Sequence, residues 1–441
     1  MEFGKHIGKS LWGMADKALP VVYGFGYVLL VIRVLPEEEF GNFVLLQEIF
    51  LILSGLATAV ALQPMLKFAS EQSDDPAGII GAGMLLNIVF IVVSSLLVVL
   101  VREPMSAVLR SPDLAPLLLY IPAMMVASLI RNVALVLLQT RFGIARIFWI
   151  DAVHFLGAPF LVWVYSRMHL FDTAEDLIMI NVLSLSASSL LGLALSWRLF
   201  RWRLRPTRGE MQRMWEYGKY ALGGNASFLV YSRADTFILS AFTGPAQVAV
   251  YNSAKIFTRI FDMATQIIQM FILPGVSLLA SRGERATLKV VVEKSTLFST
   301  VGMVPVMLGM VLFADPMIGI IYGGRYPDAV PVLQVFGIMA IAIPAFAVGS
   351  NVLMGLGEAR ASFWLGIQML VVALLTYLSI IPLLGTIGAA IAVVVASYVM
   401  AWIALRAVRT FIPFTTREVL RRHQDIRIFL VNRVLRRRRA P

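Results

Sequence analysis

The sequence predicts an all-α polytopic membrane protein with about twelve transmembrane helices, built as two parallel six-helix repeats that form two lobes around a central cavity. Three observations carry this. The first is composition: 59% of residues are hydrophobic and 15% charged, against about 25% charged in an ordinary soluble domain. Apolar runs at 79–101, 114–138 and 365–384 each offer the ~20 residues a helix needs to cross a bilayer. Alternating ten-residue strands of the membrane-barrel kind are absent from the pattern. The second is internal repetition. PDLAP at 112–116 and ARIFW at 145–149 recur as PDAVP at 327–331 and ARASFW at 359–364. Glu103-Pro104-Met105 echoes Asp315-Pro316-Met317, and Pro64 with Ala69 and Ser70 echoes Pro274 with Ala280 and Ser281. An offset of nearly half the chain, in apolar segments, points to a transporter of two similar halves. The third is the placement of basic residues, taken up below.

Read in order, the expected spans are 14–35, 40–64, 78–101, 114–138, 144–166 and 177–198 in the first half. In the second half they are 216–241, 248–274, 296–313, 329–354, 361–384 and 386–409. An even number per half brings both copies in and out on the same side, so the repeats are related by an axis along the membrane normal. The expected organisation is an N-terminal lobe at 1–206, a C-terminal lobe at 207–412, and a basic amphipathic tail at 413–441.

With the N-terminus inside, most of the 38 Lys and Arg fall on the cytoplasmic side. Among them are Lys5, Lys9, the link Arg198 to Lys219, the loop Arg282 to Lys294, and the tail. The outer loops hold only Arg33, Arg102, Arg110, Arg167 and Arg325. This is the positive-inside bias, so the net charge of +12 reads as topology and not as nucleic-acid binding. Both termini are expected to be cytoplasmic, in a bacterial plasma (inner) membrane. Phe3, Ile7, Leu11 and Trp12 between Lys5, Lys9 and Lys17 suggest an interfacial helix leading into the first span, without a cleavable signal peptide. Trp149, Trp197, Trp202, Trp215 and Trp402 fall near span ends, as an aromatic belt places them. Nine arginines between Arg417 and Arg439 share the tail with Val419, Ile426, Leu430 and Val434, which suits an anionic leaflet surface.

Enzymatic machinery is not visible. The loops are short, and Gly8-Lys9-Ser10 has Phe3 where a phosphate-binding loop needs glycine. His6, His154, His169 and His423 are scattered, with no metal-ligand spacing. Asn225-Ala226-Ser227 lies inside a span. There is no cysteine, hence no thiol chemistry. The protein is therefore expected not to be an enzyme and to need no cofactor or metal.

The informative residues are polar groups inside spans, where a Lys, Arg or Asp costs about 2.5–3.5 kcal/mol on insertion scales. In the eighth span Lys255, Arg259, Asp262, Gln266 and Gln269 recur at helical spacing, as one continuous face. Ile256, Ile260, Met263, Ile267 and Phe271 occupy the other. The second span has Gln47, Ser54 and Thr58 with Glu48 alongside. The seventh has Asn225, Ser232, Arg233, Asp235 and Thr236; Arg131 lies in the fourth, and Asp151 and His154 in the fifth. Two readings stay open: these residues line a hydrated lumen, or they pair and hold the bundle together, Arg131 with an acid such as Asp151. His154 alone reads more simply as a satisfied bundle residue. Pro20, Pro64, Pro274, Pro305, Gly349, Gly355 and Gly357 admit gating bends or plain close packing.

Arg233-Ala234-Asp235 runs through an apolar stretch to Gly244, then Val248-Ala249-Val250-Tyr251 and Lys255. Together with LPEEEFGNF at 35–43 and GTIGAAIA at 385–392, this resembles the polysaccharide-transport (Wzx-like oligosaccharide flippase) family of the multidrug/oligosaccharidyl-lipid/polysaccharide exporter superfamily. The resemblance covers essentially the whole chain. It implies two six-helix lobes in a V and movement of undecaprenyl-diphosphate-linked oligosaccharide from the cytoplasmic to the outer leaflet. Some relatives couple this to H+ or Na+. It also implies a cationic lumen, for which Lys255, Arg259, Arg233 and Arg131, with Gln266, are the candidate substrate-binding residues. Asp262, Asp235 and Glu48 are the candidates for ion coupling. Here Glu48, Asp151, Asp235 and Asp262 match the four cations in number. Expected partners are the lipid-linked oligosaccharide, membrane lipids, and a polysaccharide polymerase or other assembly proteins. The competing readings are a multidrug cation antiporter of the same superfamily, a peptidoglycan lipid-precursor flippase, a membrane-embedded glycosyltransferase, and a non-transporting scaffold.

Overall fold

The computed structural model describes residues 3–71, 76–168, 172–200 and 205–425, and these are helical with no strand among them. Nine helices among the described residues are long and apolar enough to cross a membrane. In chain order the helices are α1 (Phe3–Val34), α2 (Glu37–Glu71), α3 (Ala77–Val108), α4 (Leu114–Thr140), α5 (Ile144–Arg167) and α6 (Ala174–Leu199). They continue as α7 (Arg208–Thr243), α8 (Pro245–Ser281), α9 (Arg285–Leu312), α10 (Ala314–Tyr322), α11 (Ala329–Gly355), α12 (Ala359–Arg409) and α13 (Thr416–Arg421). The expected spans at 361–384 and 386–409 form one 51-residue element whose only non-helical backbone is at Gly385, φ 57° and ψ −132°. The tail beyond Asp425 lies outside the described residues, as do His169, Trp202 and the side chains of Phe3, Lys5, His6, Ile7, Lys9, Leu11 and Asn225.

Local chemistry explains where helices begin. Pro36 (φ −56°, ψ 154°) precedes α2, whose first turn carries Glu37, Glu38 and Glu39, where the helix dipole favours acids. Glu39 Oε2 also accepts the Ala174 N–H at 2.8 Å, capping α6. Thr173 with Asp176 and Thr207 with Glu210 form reciprocal capping boxes at the starts of α6 and α7. Within α2 a π-helical stretch, Thr58–Leu62, precedes Pro64. Proline has no N–H to give the carbonyl four residues back, and the widened turn absorbs that mismatch.

The chain divides into two compact units. The first comprises 1–256 with 321–325, and the second 257–320 with 326–441. The first unit thus runs on past 206, through α7 and the first half of α8. Two packing features hold α7 and α8 there. Gly244 (φ 87°, ψ 176°) adopts backbone open to glycine and turns the chain from α7 into Pro245, the first residue of α8. Gly41 of α2 then lies so close to Pro245 that an added Cβ would sit 1.9 Å from its carbonyl oxygen. Residues 321–325 are tied into the same unit by arginines. Arg33 donates from Nε and Nη2 to Ile321 O at 3.1 and 2.9 Å. Arg325 donates to Ile32 O and Leu35 O, both at 2.9 Å, and Tyr322 donates to Ser253 O at 2.7 Å. These arginines take up carbonyls at helix ends that have no partner within the helix.

In the second unit, α11 packs tightly on α8 and α12 through small residues. A Cβ on Gly355 would meet Val276 at 2.8 Å, and one on Gly349 would meet Ala404 at 2.9 Å. At these two positions the close-packing reading of the glycines holds. The C-terminal segment is clasped to the start of α9. Glu418 Oε1 accepts Lys289 Nζ at 2.7 Å, and Arg422 reaches the buried Glu293 from Nε and Nη2 at 2.8 and 2.7 Å. Asp425 faces Lys294 at 3.1 Å.

Candidate functional site

The first unit holds three charged clusters inside its helical bundle. On α7, Arg233 donates through Nη1 to Glu48 Oε2 on α2. Two residues further along α7, Asp235 is only 2% exposed. Its Oδ2 accepts Tyr251 OH at 2.5 Å and Lys255 Nζ at 2.6 Å, and its Oδ1 accepts the Thr236 N–H at 2.8 Å. Tyr251 and Lys255 are four apart on α8 and so share a face. The ammonium of Lys255 also reaches Thr236 Oγ1 at 3.3 Å and lies 5.4 Å from the Tyr251 ring centre.

The third cluster joins α4, α5 and α1. Arg131 donates through Nη2 to Asp151 Oδ1 and lies 5.7 Å from the Phe155 ring centre. Asp16 of α1 lies near the Asp151 carboxyl. Asp16 Oδ1 and Arg131 Nε are buried without a hydrogen-bond partner among the described residues. His154 Nδ1 is 3.0 Å from Ser184 Oγ, with its ring between Tyr23 and Phe155. Beyond it Tyr23 donates to Asn181 Oδ1 at 3.2 Å, and Asn181 Nδ2 donates to Tyr27 OH at 2.5 Å. His154 is thus a satisfied bundle residue.

The structure corrects the single stripe expected along α8. A 3-10 turn at Ile256–Thr258 separates its two helical stretches, Pro245–Lys255 and Arg259–Ser281. Each residue of such a turn advances about 120° where an α-helix advances about 100°, so Lys255 is rotated out of line with Arg259. The compact units also part here, with Lys255 in the first and Arg259, Asp262 and Gln266 in the second. Arg259 is half-buried, and Asp262, Gln266 and Gln269 are exposed. Ile260, Met263, Ile267 and Phe271 are exposed as well, which suits a lipid-facing side.

The three cations of these clusters (Arg131, Arg233 and Lys255) each face a carboxylate, and with Asp16 the acids of the clusters outnumber them by one. There is no standing positive surface among these residues. Sequence reasoning flagged both members of each pair, but coupled only Arg131 with Asp151. It missed Asp16, Tyr251 and the Arg33–Arg325 carbonyl ties. The signal for Asp16 was there, since it is an acid inside the first expected span.

Buried ion pairs in an apolar bundle and two halves of like sequence can now be set beside known proteins. Over 201 residues the chain is 28% identical to an uncharacterized membrane protein of Methanocaldococcus jannaschii, covering 45% of this chain and 39% of that one. Over 188 residues it is 24% identical to a probable low-salt glycan biosynthesis flippase, Agl15, of Haloferax volcanii, covering 43% and 40%. Each of these matches spans less than half the length of the relative. The fold is shared with a solved structure of the lipid II flippase MurJ in an inward closed conformation. That match has a TM-score of 0.74 and 12% identity, covering 93% of this chain and 89% of that one. It is also shared with an inward-facing multidrug MATE family transporter, with a TM-score of 0.67 and 16% identity, covering 90% and 98%. Residues 30–331, which hold all three charged clusters except Asp16, match the sequence pattern described as polysaccharide biosynthesis protein, and the chain belongs to that family.

Proposed function

We propose that the protein is a flippase that carries undecaprenyl-diphosphate-linked oligosaccharide from the cytoplasmic to the outer leaflet of a bacterial plasma membrane, by alternating access and without covalent chemistry. Family membership supports this, as do relatives described as flippases. The observation that carries the mechanism is that each of Arg131, Arg233 and Lys255 is held by a carboxylate. A diphosphate and a carboxylate are both anions, and either contributes about 4 kcal/mol against a cation at ~4 Å and an effective dielectric near 20. Exchange of one for the other is therefore close to balanced. A proton arriving on Glu48 or Asp235 releases Arg233 or Lys255 to the diphosphate, and loss of the proton restores the ion pair and expels it. Asp16 with Asp151 gives Arg131 one acid more than it neutralises, a place for a coupling H+ or Na+. Both termini are cytoplasmic in this reading, which brings the tail to the side where polymerising or other assembly partners meet the substrate's synthesis.

The test is binding of the diphosphate-linked lipid to purified protein across pH. Affinity should rise as pH falls, and Glu48→Gln with Asp235→Asn should bind as the protonated protein does at every pH. Affinity unchanged by pH and by both substitutions would exclude the exchange mechanism.

A further inference from the structure

Apart from the charged clusters, a groove of about 780 Å³ opens beside the start of α7. Its rim carries Arg205 and Arg208, and its floor Leu85 of α3 with Met211 and Trp215 of α7. Both arginines are exposed, and neither has an ion-pair partner among the described residues. The nearest acid in sequence, Glu210, is turned to the helix cap, where its Oε2 accepts the Thr207 N–H at 2.6 Å. Two positive charges are thus left facing outward.

From Leu85 an exposed apolar strip runs along α3. Leu85, Val89, Val92, Leu96 and Leu100 follow at steps of three and four along α3, and their exposure runs from 42% to 69%. Such a strip is one helical face, and uncovered to water each of these side chains would forfeit roughly 1.5–3 kcal/mol. It therefore faces acyl chains. Trp215, 48% exposed, stands where the strip meets the basic link, the depth at which indole rings collect. The positive-inside pattern puts this end at the cytoplasmic leaflet, whose surface is anionic.

We infer that this groove is a binding site for an anionic glycerophospholipid of the inner leaflet, its phosphate held by Arg205 and Arg208 and its acyl chains laid along the α3 strip from Leu85. None of the groove's residues belongs to the clusters assigned to transport, and the site does not depend on what the protein transports. Charge and shape both select this occupant: a soluble anion leaves the apolar floor uncovered, and a zwitterionic lipid gains little from two unpaired guanidinium groups.

Trp215 reports on the site directly. The full-length protein is placed in phosphatidylcholine vesicles with a fixed small fraction of brominated phosphatidylglycerol, or of brominated phosphatidylcholine. The Trp215 component is the emission lost in Trp215→Phe. It should be quenched with a preference of about thirtyfold for the anionic lipid, the attraction expected of two surface arginines. Arg205→Gln with Arg208→Gln should abolish the preference, and Arg→Lys at both positions should retain most of it. Quenching of the remaining tryptophans, unchanged in all variants, shows that the fold is kept. Equal quenching by the two lipids overturns the proposal, as does a preference that survives the Gln pair. Displacement by added undecaprenyl diphosphate at lower concentration than the phospholipid would also overturn it, and would make the groove an entry point for the transported lipid.

Discussion

Asp235 is the residue on which most local interactions converge, since one buried carboxylate answers Tyr251, Lys255 and the Thr236 backbone. Removing one member of a buried ion pair strands the other, at a cost of about 3–5 kcal/mol. Asp235→Ala should therefore lower the thermal stability of the solubilised protein by about that amount. Asp235→Ala combined with Lys255→Met should recover much of the loss, and a double-mutant cycle measures the coupling. Additive losses would mean that the two groups do not interact. Residues of this kind were legible singly, because an ionisable side chain inside a span always asks for an explanation. Their partners were not. Glu48 and Arg233 are 185 positions apart, and helical spacing constrains neighbours within one helix only. Asp16 escaped because the basic and aromatic residues before it read as an interfacial segment, which hid an acid one turn into the first span.

Among the elements, the helices themselves were well marked, and their interruptions were not. The face from Lys255 to Gln269 assumed unbroken α-helical rotation, and three residues of tighter winding are enough to divide it. The turn between α7 and α8 was legible through Gly244 and Pro245. The Gly41 contact was not, because it lies across sequence. Gly41→Ala should destabilise the protein by roughly 1–3 kcal/mol, since its Cβ would have to displace the Pro245 backbone. A melting temperature equal to wild type would show that α2 and α8 can separate there freely. The C-terminal clasp makes a pH prediction. Lys289, then the backbone N–H and hydroxyl of Thr415, hold the Glu418 carboxyl down at about 2, from an ordinary 4.5. A lowered folded-state value means that the contribution is complete above the ordinary value and fades as pH falls from there toward 2. The hydrogen-exchange protection factor over 415–425, taken against the intrinsic rate at each pH, should stay high at pH 5 and drop only below about 4. Glu418→Gln should show low protection throughout, and a wild-type transition near pH 6 would implicate another group.

At the scale of the whole molecule, composition was enough to read a helical membrane protein, because lipid leaves the backbone few alternatives. The compact units could not be read in the same way, since packing across sequence carries α7 and half of α8 into the first unit. The net charge of the buried clusters was equally hidden, because counting charges gives their sum and only the fold pairs them. The central claim is that those paired cations carry a lipid-linked diphosphate across the membrane. It is tested most directly in a deletion strain, by measuring lipid-linked oligosaccharide on each leaflet with wild-type protein or the Arg233→Gln/Lys255→Gln variant restored. The account predicts accumulation on the cytoplasmic leaflet, relieved by wild type and not by the variant. Export unchanged in the deletion strain, with sensitivity to organic cations altered instead, would contradict it and favour a multidrug antiporter.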